Sequence, residues 1–219
     1  INKINNKTKM IFSHEGINFE EESHENAKIY SADIVIKSPG ISDENKIIKY
    51  LRSKSYKIIS EIEFASRYCK SVIIAVTGSN GKSTTSSLIH EIIFNSNFTS
   101  SISGNIGKSF SSVCDADIDY SVVEVSSFQL DSIEKFRPHI AVLTAITPDH
   151  LDRYESFEDY VKSKFRIAMN QTKQDFLIYD GDCKIISSFL KLNKIKSELL
   201  PYSKNKKFKK GSYKLKNKI

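Results

Sequence analysis

Short apolar runs and longer segments of helical period take turns along this chain. Residues 72–76, 120–125 and 140–146 are runs of mostly β-branched residues with little polar alternation, as expected of strands covered on both faces. Residues 83–94 bring Leu88, Ile89, Ile92 and Ile93 onto one stripe and predict a helix. Residues 156–169 predict another: Phe157, Val161, Phe165 and Ala168 share a face, and Ser156 with Asp159 has the spacing of a capping box. A strand over 175–179 and a helix over 184–192 follow. Strands alternating with helices predict parallel βαβ units, so the fold class is α/β with a mostly parallel sheet. Upstream, 32–37 reads as a buried strand ending at the turn Ser38-Pro39-Gly40. Residues 43–53 read as a helix with Ile47, Ile48 and Leu51 on one face, 57–60 as a strand and 61–69 as a helix. A boundary near Lys70 divides the chain into 1–70 and 71–219, and no internal repeat is visible.

The run at 72–76 leads into Thr77-Gly78-Ser79-Asn80-Gly81-Lys82-Ser83-Thr84 and then a helix. A glycine turn between strand and helix lets backbone N–H groups point at phosphates, and the helix N-terminus favours the anion. Gly78, Ser79, Asn80, Gly81, Lys82, Ser83 and Thr84 are therefore the candidate nucleotide cradle. Lys82 has the reach for the β/γ-phosphates, and the Ser83 hydroxyl is placed to face Mg²⁺. Val76 stands where the first glycine of the usual phosphate loop would be, so the loop is tighter than that pattern. A plain strand-to-helix turn with a solvated lysine is the competing reading.

Charge and composition narrow the partners. The 219 residues carry 33 Lys and Arg against 26 Asp and Glu, a net +7, and much of the excess lies in 203–219. Such a run can mark a nucleic-acid or membrane patch. Ile, Lys, Asn and Ser are abundant throughout, however, and the run reads as a surface hairpin around Lys210-Gly211. Phe208 and Tyr213 are few aromatics for a base-stacking platform, so no nucleic-acid partner is expected. Cys69, Cys114 and Cys183 are far apart and odd in number, with no C-x-x-C pair. A disulfide framework or zinc site is not expected, and a reducing cytoplasm fits. No apolar stretch approaches the length of a bilayer span. The chain opens on Ile1, which suggests a start inside a longer protein.

Ligands of open parallel sheets bind outside the carboxyl ends of the strands, and the three central runs end in polar segments. Glu124 closes the second. A carboxylate there is costly unless it meets a cation or donors, and Mg²⁺ shared with the Ser83 or Thr84 hydroxyl and the phosphates is a natural partner; a local salt bridge or cap is the alternative. His150 follows the third run in Pro148-Asp149-His150-Leu151-Asp152-Arg153. Imidazole is an uncommon ligand for Mg²⁺ and suits Mn²⁺ or a softer second site. His14, His24, His90 and His139 have no comparable setting. Lys164, on the next helix, reads by spacing alone as an exposed lysine.

The loop at 77–84, Gly104-Asn105-Ile106-Gly107, Glu124-Val125-Ser126-Ser127-Phe128-Gln129-Leu130 and Thr147-Pro148-Asp149-His150-Leu151-Asp152-Arg153-Tyr154 occur in this order. Together they resemble the Mur ligases of peptidoglycan synthesis. The Ser-Ser-Phe-Gln-Leu segment points to the branch that adds D-glutamate, over its sister ligases and the folylpolyglutamate synthases. The resemblance covers most of the chain and is weakest over the first thirty residues and after Asp182.

That resemblance implies an ATP- and Mg²⁺-dependent ligase joining D-glutamate to UDP-N-acetylmuramoyl-L-alanine through an acyl phosphate. It implies a partial Rossmann-like UDP-binding domain over 1–70 and a truncated central ATPase domain over 71–219. Lys82 would hold the β/γ-phosphates, Ser83 and Glu124 the first Mg²⁺, and His150 a second. Lys164 matches a lysine that is carbamylated in the family and so becomes an anionic oxygen ligand. Asn105, Ser126 and Gln129 match contacts to the muramoyl substrate, and Ser38 and Gly40 match the turn over the UDP end. A monomeric cytoplasmic enzyme is implied. The family's third domain, which contacts D-glutamate, has no counterpart here, nor do the opening strand and glycine turn of the UDP domain or the later ATP-holding segment. An internal piece that binds ATP·Mg²⁺ weakly and does not complete ligation is expected. The alternatives are a phosphate-loop regulatory or scaffold protein without ligase activity, and a nucleic-acid binder using the Lys-rich tail. A switch protein has no need of the Asn105 loop or the His150 segment.

Overall fold

Strand β3 (Val72–Thr77) lies third in a seven-stranded sheet of order β4-β5-β3-β6-β7-β8-β9, and every adjacent pair is parallel. The other strands are β4 (Ser100–Gly104), β5 (Tyr120–Glu124), β6 (Ile140–Leu143), β7 (Phe176–Asp180), β8 (Glu198–Ser203) and β9 (Ser212–Tyr213). The protein is seen here in a computed structural model that describes residues 3–21 and 31–214. His24 and the last five residues of the Lys-rich tail lie outside the described residues.

Alternate positions of the strands point to opposite faces. Ile73, Ala75, Val123, Val125, Ala141, Leu143 and Leu177 point to one and join a single core with Phe110, Leu130, Phe136, Tyr160, Phe165 and Ile186. That layer is supplied by α3 (Glu61–Ser66), α5 (Ser127–Leu130), α6 (Phe157–Phe165) and α7 (Lys184–Leu192). Phe165 and Phe189 stack with centroids 3.8 Å apart and tie α6 to α7. Helix α4 (Lys82–Phe94) packs on β3, β4 and β5. The Ser156 hydroxyl accepts from the Asp159 N–H at the start of α6, as its spacing predicts.

Two polar anchors hold the amino-terminal edge of the core layer. Glu63 is fully buried, and its Oε2 accepts the backbone N–H groups of Glu134, Lys135 and Phe136 at 2.9, 2.8 and 2.7 Å. Burial opposes its ionisation, yet those donors and Arg67 hold its carboxyl below the usual range. Asp175 is likewise buried and receives Arg137 at 2.8 and 3.2 Å, the Thr172 N–H at 2.7 Å and the His139 ring at 3.1 Å.

Two compact units divide the chain, Ile1–Val35 with Ile41–Ile58 and Ile36–Gly40 with Ile59–Ile219. The smaller contains α1 (Asn6–His14) and α2 (Lys46–Ser53). Helix α1 has no buried residue and no sequence pattern announced it. Helix α2 buries Ile48 and Leu51, as its periodicity predicts. Strands β1 (Val35–Lys37) and β2 (Ile58–Ser60) form a separate two-stranded sheet.

Three expectations need correction. The buried strand expected over 32–37 is only three residues long, and Ile36 is exposed, because the strand pairs with the short β2 in a sheet of its own and not inside the larger one. The apolar stripe of α4 is only half covered: Ile89 and Ile93 are partly buried on the side of Ser86, the helix's one fully buried residue, while Leu88 and Ile92 are exposed. The expected hairpin around Lys210-Gly211 is a parallel pair, β8 with β9. Asp182 anchors the chain where it leaves β8, accepting the Ser203 hydroxyl at 2.7 Å and the Lys204 N–H at 2.8 Å. Gly211, at φ 119°, then lies so close to β8 that a Cβ would stand 2.1 Å from the Pro201 oxygen.

Candidate active site

After β3 the chain crosses to one side of the sheet, and after β6 it goes to the other. The change of direction falls between β3 and β6, the place in the strand order where such sheets bind ligands. Val76 is level with Glu124 on β5, and Thr77 with Leu143 on β6. The loop carrying Lys82, the end of β5 and the segment leading to His150 thus leave three neighbouring strands on one edge.

The β6 segment holds the phosphate loop from beneath. Gly78 passes so close to Thr144 that a Cβ on it would stand 1.7 Å from Thr144 Oγ1. The Thr144 hydroxyl donates to the Asn80 carbonyl at 2.7 Å, with the Thr77 carbonyl 3.1 Å away. Ser79 N–H donates to the Ala145 carbonyl at 2.9 Å, and Asn80 Nδ2 to Thr147 Oγ1 at 3.2 Å. The buried Ser79 hydroxyl donates to the Thr147 carbonyl at 2.9 Å and accepts the Thr147 N–H at 3.0 Å. Its remaining neighbour is the Tyr160 hydroxyl at 2.9 Å. Gly81 takes the left-handed conformation, φ 81°, and caps α4. Lys82 folds back and donates to the Gly78 and Ser79 carbonyls, both at 3.0 Å, so its ammonium lies over the loop. Ser83 and Thr84 are exposed on the first turn of α4.

Glu124 is almost fully buried. Asn105 Nδ2 donates to its Oε1 at 2.9 Å and the Asn105 N–H to its backbone carbonyl at 2.8 Å, while its Oε2 has no hydrogen-bond partner. An anionic oxygen buried without a donor is costly unless a cation meets it, so this side chain fits a divalent metal ion. Among the described residues no three His, Cys, Asp or Glu side chains cluster as a metal site. A cation here therefore needs further oxygens, such as the Ser83 hydroxyl and phosphate, the usual surroundings of Mg²⁺.

Lys164 contradicts the spacing-based reading of an exposed lysine, being only 2% exposed. Its Nζ lies over the Tyr160 ring, 4.6 Å from the centroid. Burial, then the positive charge of Lys82, lowers its pKa to about 7, against the opposing pull of Asp149 and Asp131. His150 sits in a left-handed backbone conformation, φ 52°, with its ring 4.9 Å from that of Phe128 and 6.3 Å from that of Tyr160.

Ser126 and Gln129 form a capping box at the start of α5, with the Ser126 N–H donating to Gln129 Oε1 at 3.0 Å. Ser38 and Gly40 are exposed in the turn after β1, and none of the hydrogen bonds of the phosphate loop reaches them. Sequence reasoning missed Thr144, Thr147, Phe128 and Tyr160. A signal existed for Tyr160, which precedes Lys164 by one helical turn and shares its face.

The profile of the Mur ligase middle domain matches residues 76–218. The UDP-N-acetylmuramoylalanine–D-glutamate ligase of Christiangramia forsetii is 47% identical over 213 residues, covering 96% of this chain and 48% of that protein. Its namesake from Bacteroides fragilis is 46% identical over 202 residues, covering 91% and 46%. The chain thus spans about half the length of the curated relatives it matches. Among solved structures, the UDP-N-acetylmuramate:L-alanyl-gamma-D-glutamyl-meso-diaminopimelate ligase of Neisseria meningitides aligns with a TM-score of 0.61 at 14% identity, covering 91% of this chain and 68% of that one. At that identity the likeness is one of fold. The profile spans the sheet from Val76 onward, the phosphate loop, Glu124, His150 and Lys164, and the chain belongs to the Mur ligase family.

Proposed function

We propose that this chain is the ATP-binding part of a ligase that adds D-glutamate to UDP-N-acetylmuramoyl-L-alanine, forming ADP and phosphate. Residues 71–219 are the central ATP-binding domain and 1–70 part of a UDP-substrate domain, whose turn at Ser38 and Gly40 meets the UDP end. The observation that carries the reading is the β6-braced phosphate loop beside a buried carboxylate oxygen without a partner. The relatives' shared name supplies the substrates.

In this reading the acceptor carboxylate attacks the γ-phosphate, and the amine of D-glutamate then displaces phosphate from the acyl carbon. The backbone N–H groups of 78–83 and Lys82 hold the β/γ-phosphates, and Asn105 keeps Glu124 turned so that Oε2 stays free. Ser83 and Glu124 hold Mg²⁺, while His150 and Lys164 serve a second ion, with Mn²⁺ tolerated at the imidazole. A divalent cation supplies charge neutralisation where two anions must approach. Buried, and opposed by the positive charge of Lys82, the Lys164 amine is neutral for much of the time near neutral pH. Such an amine attacks CO₂: an N–C bond forms, a proton leaves, and an anionic carbamate replaces the ammonium. Asn105, Ser126 and Gln129 line the muramoyl side. The enzyme acts as a cytoplasmic monomer, and these 219 residues alone bind ATP·Mg²⁺ without completing ligation.

The test is phosphate release from ATP with acceptor and D-glutamate added singly and together. It is made on this chain and on a chimera carrying the carboxy-terminal remainder of the Christiangramia forsetii relative. Release that requires both substrates is expected from the chimera only. Release from the chimera that is indifferent to D-glutamate contradicts the substrate assignment. Two-substrate release from this chain alone contradicts the division of labour.

A further inference from the structure

We infer that Phe128 is a positioning residue that holds the imidazole of His150 at the site. Phe128 lies on the four-residue helix α5, which follows β5, yet three side chains of the loop after β6 rest on its ring. The His150 ring is 4.9 Å away with an interplanar angle of 58°. The Tyr154 ring stacks nearly parallel at 5.9 Å. The Arg153 guanidinium carbon lies 4.4 Å from the centroid, a cation–π distance.

That platform is itself fixed. The Tyr154 hydroxyl donates to Asp131 at 2.8 Å and lies 3.2 Å from the Ser163 hydroxyl. The Ser126–Gln129 capping box sets the start of α5. His150 needs such support, because a non-glycine residue at φ 52° persists only where its surroundings over-determine it. Its polar contacts are within its own loop: Asp149 Oδ1 accepts the His150 N–H at 2.9 Å, and the His150 carbonyl accepts the Arg153 N–H at 3.0 Å. Both bonds travel with that loop, so the hold from outside it comes from the ring contact with Phe128. Phe128 contacts the imidazole while leaving the side chain 47% exposed, which fixes the ring and keeps it accessible. The consequence for the reaction rests on the metal-holding role proposed for His150; the ring contact does not.

The experiment is NMR of the histidine ring protons at about pH 9, above the ordinary imidazole range. In the wild-type chain a nuclear Overhauser contact between the Phe128 and His150 rings is expected, with ring-current displacement of the His150 signals. Phe128→Leu removes the displacement, Phe128→Tyr restores it, and Arg153→Ala leaves it in place. Absence of the wild-type ring contact overturns the inference even if Phe128→Leu fails to fold, and so does a His150 signal unmoved in a folded Phe128→Leu. Manganese is then titrated with a non-hydrolysable ATP analogue. Broadening of the His150 ring should need about 10- to 100-fold more metal in Phe128→Leu than in wild type or Phe128→Tyr. A wild-type ring that manganese leaves sharp overturns the metal role of His150, while the ring contact still decides whether Phe128 holds it.

Discussion

The hydroxyl oxygens of Ser79 and Tyr160 lie 2.9 Å apart across 81 positions of sequence. The bond joins the phosphate loop to the helix whose next turn carries Lys164, and the Tyr160 ring faces both Lys164 and His150. Ser79→Ala leaves the Tyr160 hydroxyl and the Thr147 N–H without their partner. A loss of about 1–3 kcal/mol in unfolding free energy is expected, with weaker nucleotide binding. Tyr160→Phe removes one bond and should cost about 1 kcal/mol. Denaturant titration and calorimetric ATP titration check both, and a Ser79→Ala loop that binds ATP as the wild type does contradicts the strut.

Gly78→Ala drives a methyl group into Thr144 Oγ1. The variant should lose at least about 2 kcal/mol, toward the upper end for overpacking, and bind ATP poorly. Adding Thr144→Ala relieves only part of this, because Thr144 Cβ is itself 2.9 Å from the added methyl. Denaturant midpoints of the single and double variants give the comparison, and full recovery in the double variant contradicts the geometry.

Stability should depend on pH through Lys164. Its folded-state pKa is lowered to about 7, while the unfolded chain keeps the proton up to the ordinary lysine range. Between those limits the unfolded state binds more protons, so stability rises with pH and is lowest below about 7. Lys164→Met should flatten that rise in the thermal midpoint and stabilise the protein in acid. An unchanged slope contradicts the burial argument.

Asp175 acts in the opposite sense. Burial resists its ionisation, but Arg137, the Thr172 N–H and His139 bring its pKa to about 2. Its contribution is present above the ordinary aspartate range and is lost as pH falls toward 2. Asp175→Asn should cost about 1–3 kcal/mol near neutral pH and remove that part of the acid sensitivity. Denaturant midpoints from neutral pH down to pH 3 measure both.

Legibility in sequence followed the range of the interactions. The phosphate loop could be read because strand, glycine turn and Lys82 are contiguous, and Lys184–Leu192 because its apolar period is undisturbed. The phase of α4 could be read only in part: Leu88 and Ile92 are apolar, but the helix capped by Gly81 buries Ser86 and leaves them exposed, with Ile89 and Ile93 partly covered. The chain leaving β8 toward the parallel β9 is anchored by Asp182, twenty-one residues before Ser203, whereas Lys210-Gly211 by itself resembles a hairpin turn. Spacing put Lys164 on a polar face, and only tertiary packing on Tyr160 shows it buried. The braces from Thr144 and Thr147 cross between strands far apart in sequence, and nothing local marks them.

The phosphate cradle is tested most directly by calorimetric titration of ATP·Mg²⁺ into the wild-type chain, Lys82→Ala and Glu124→Gln, with circular dichroism to establish folding. Binding by the wild type is expected. Lys82→Ala should be folded and lose affinity at least about tenfold, the equivalent of 1.4 kcal/mol. Glu124→Gln should still bind ATP while losing the gain that Mg²⁺ confers. Equal affinity in wild type and Lys82→Ala, or a Mg²⁺ gain untouched by Glu124→Gln, contradicts a cradle in which this lysine and this carboxylate face one triphosphate.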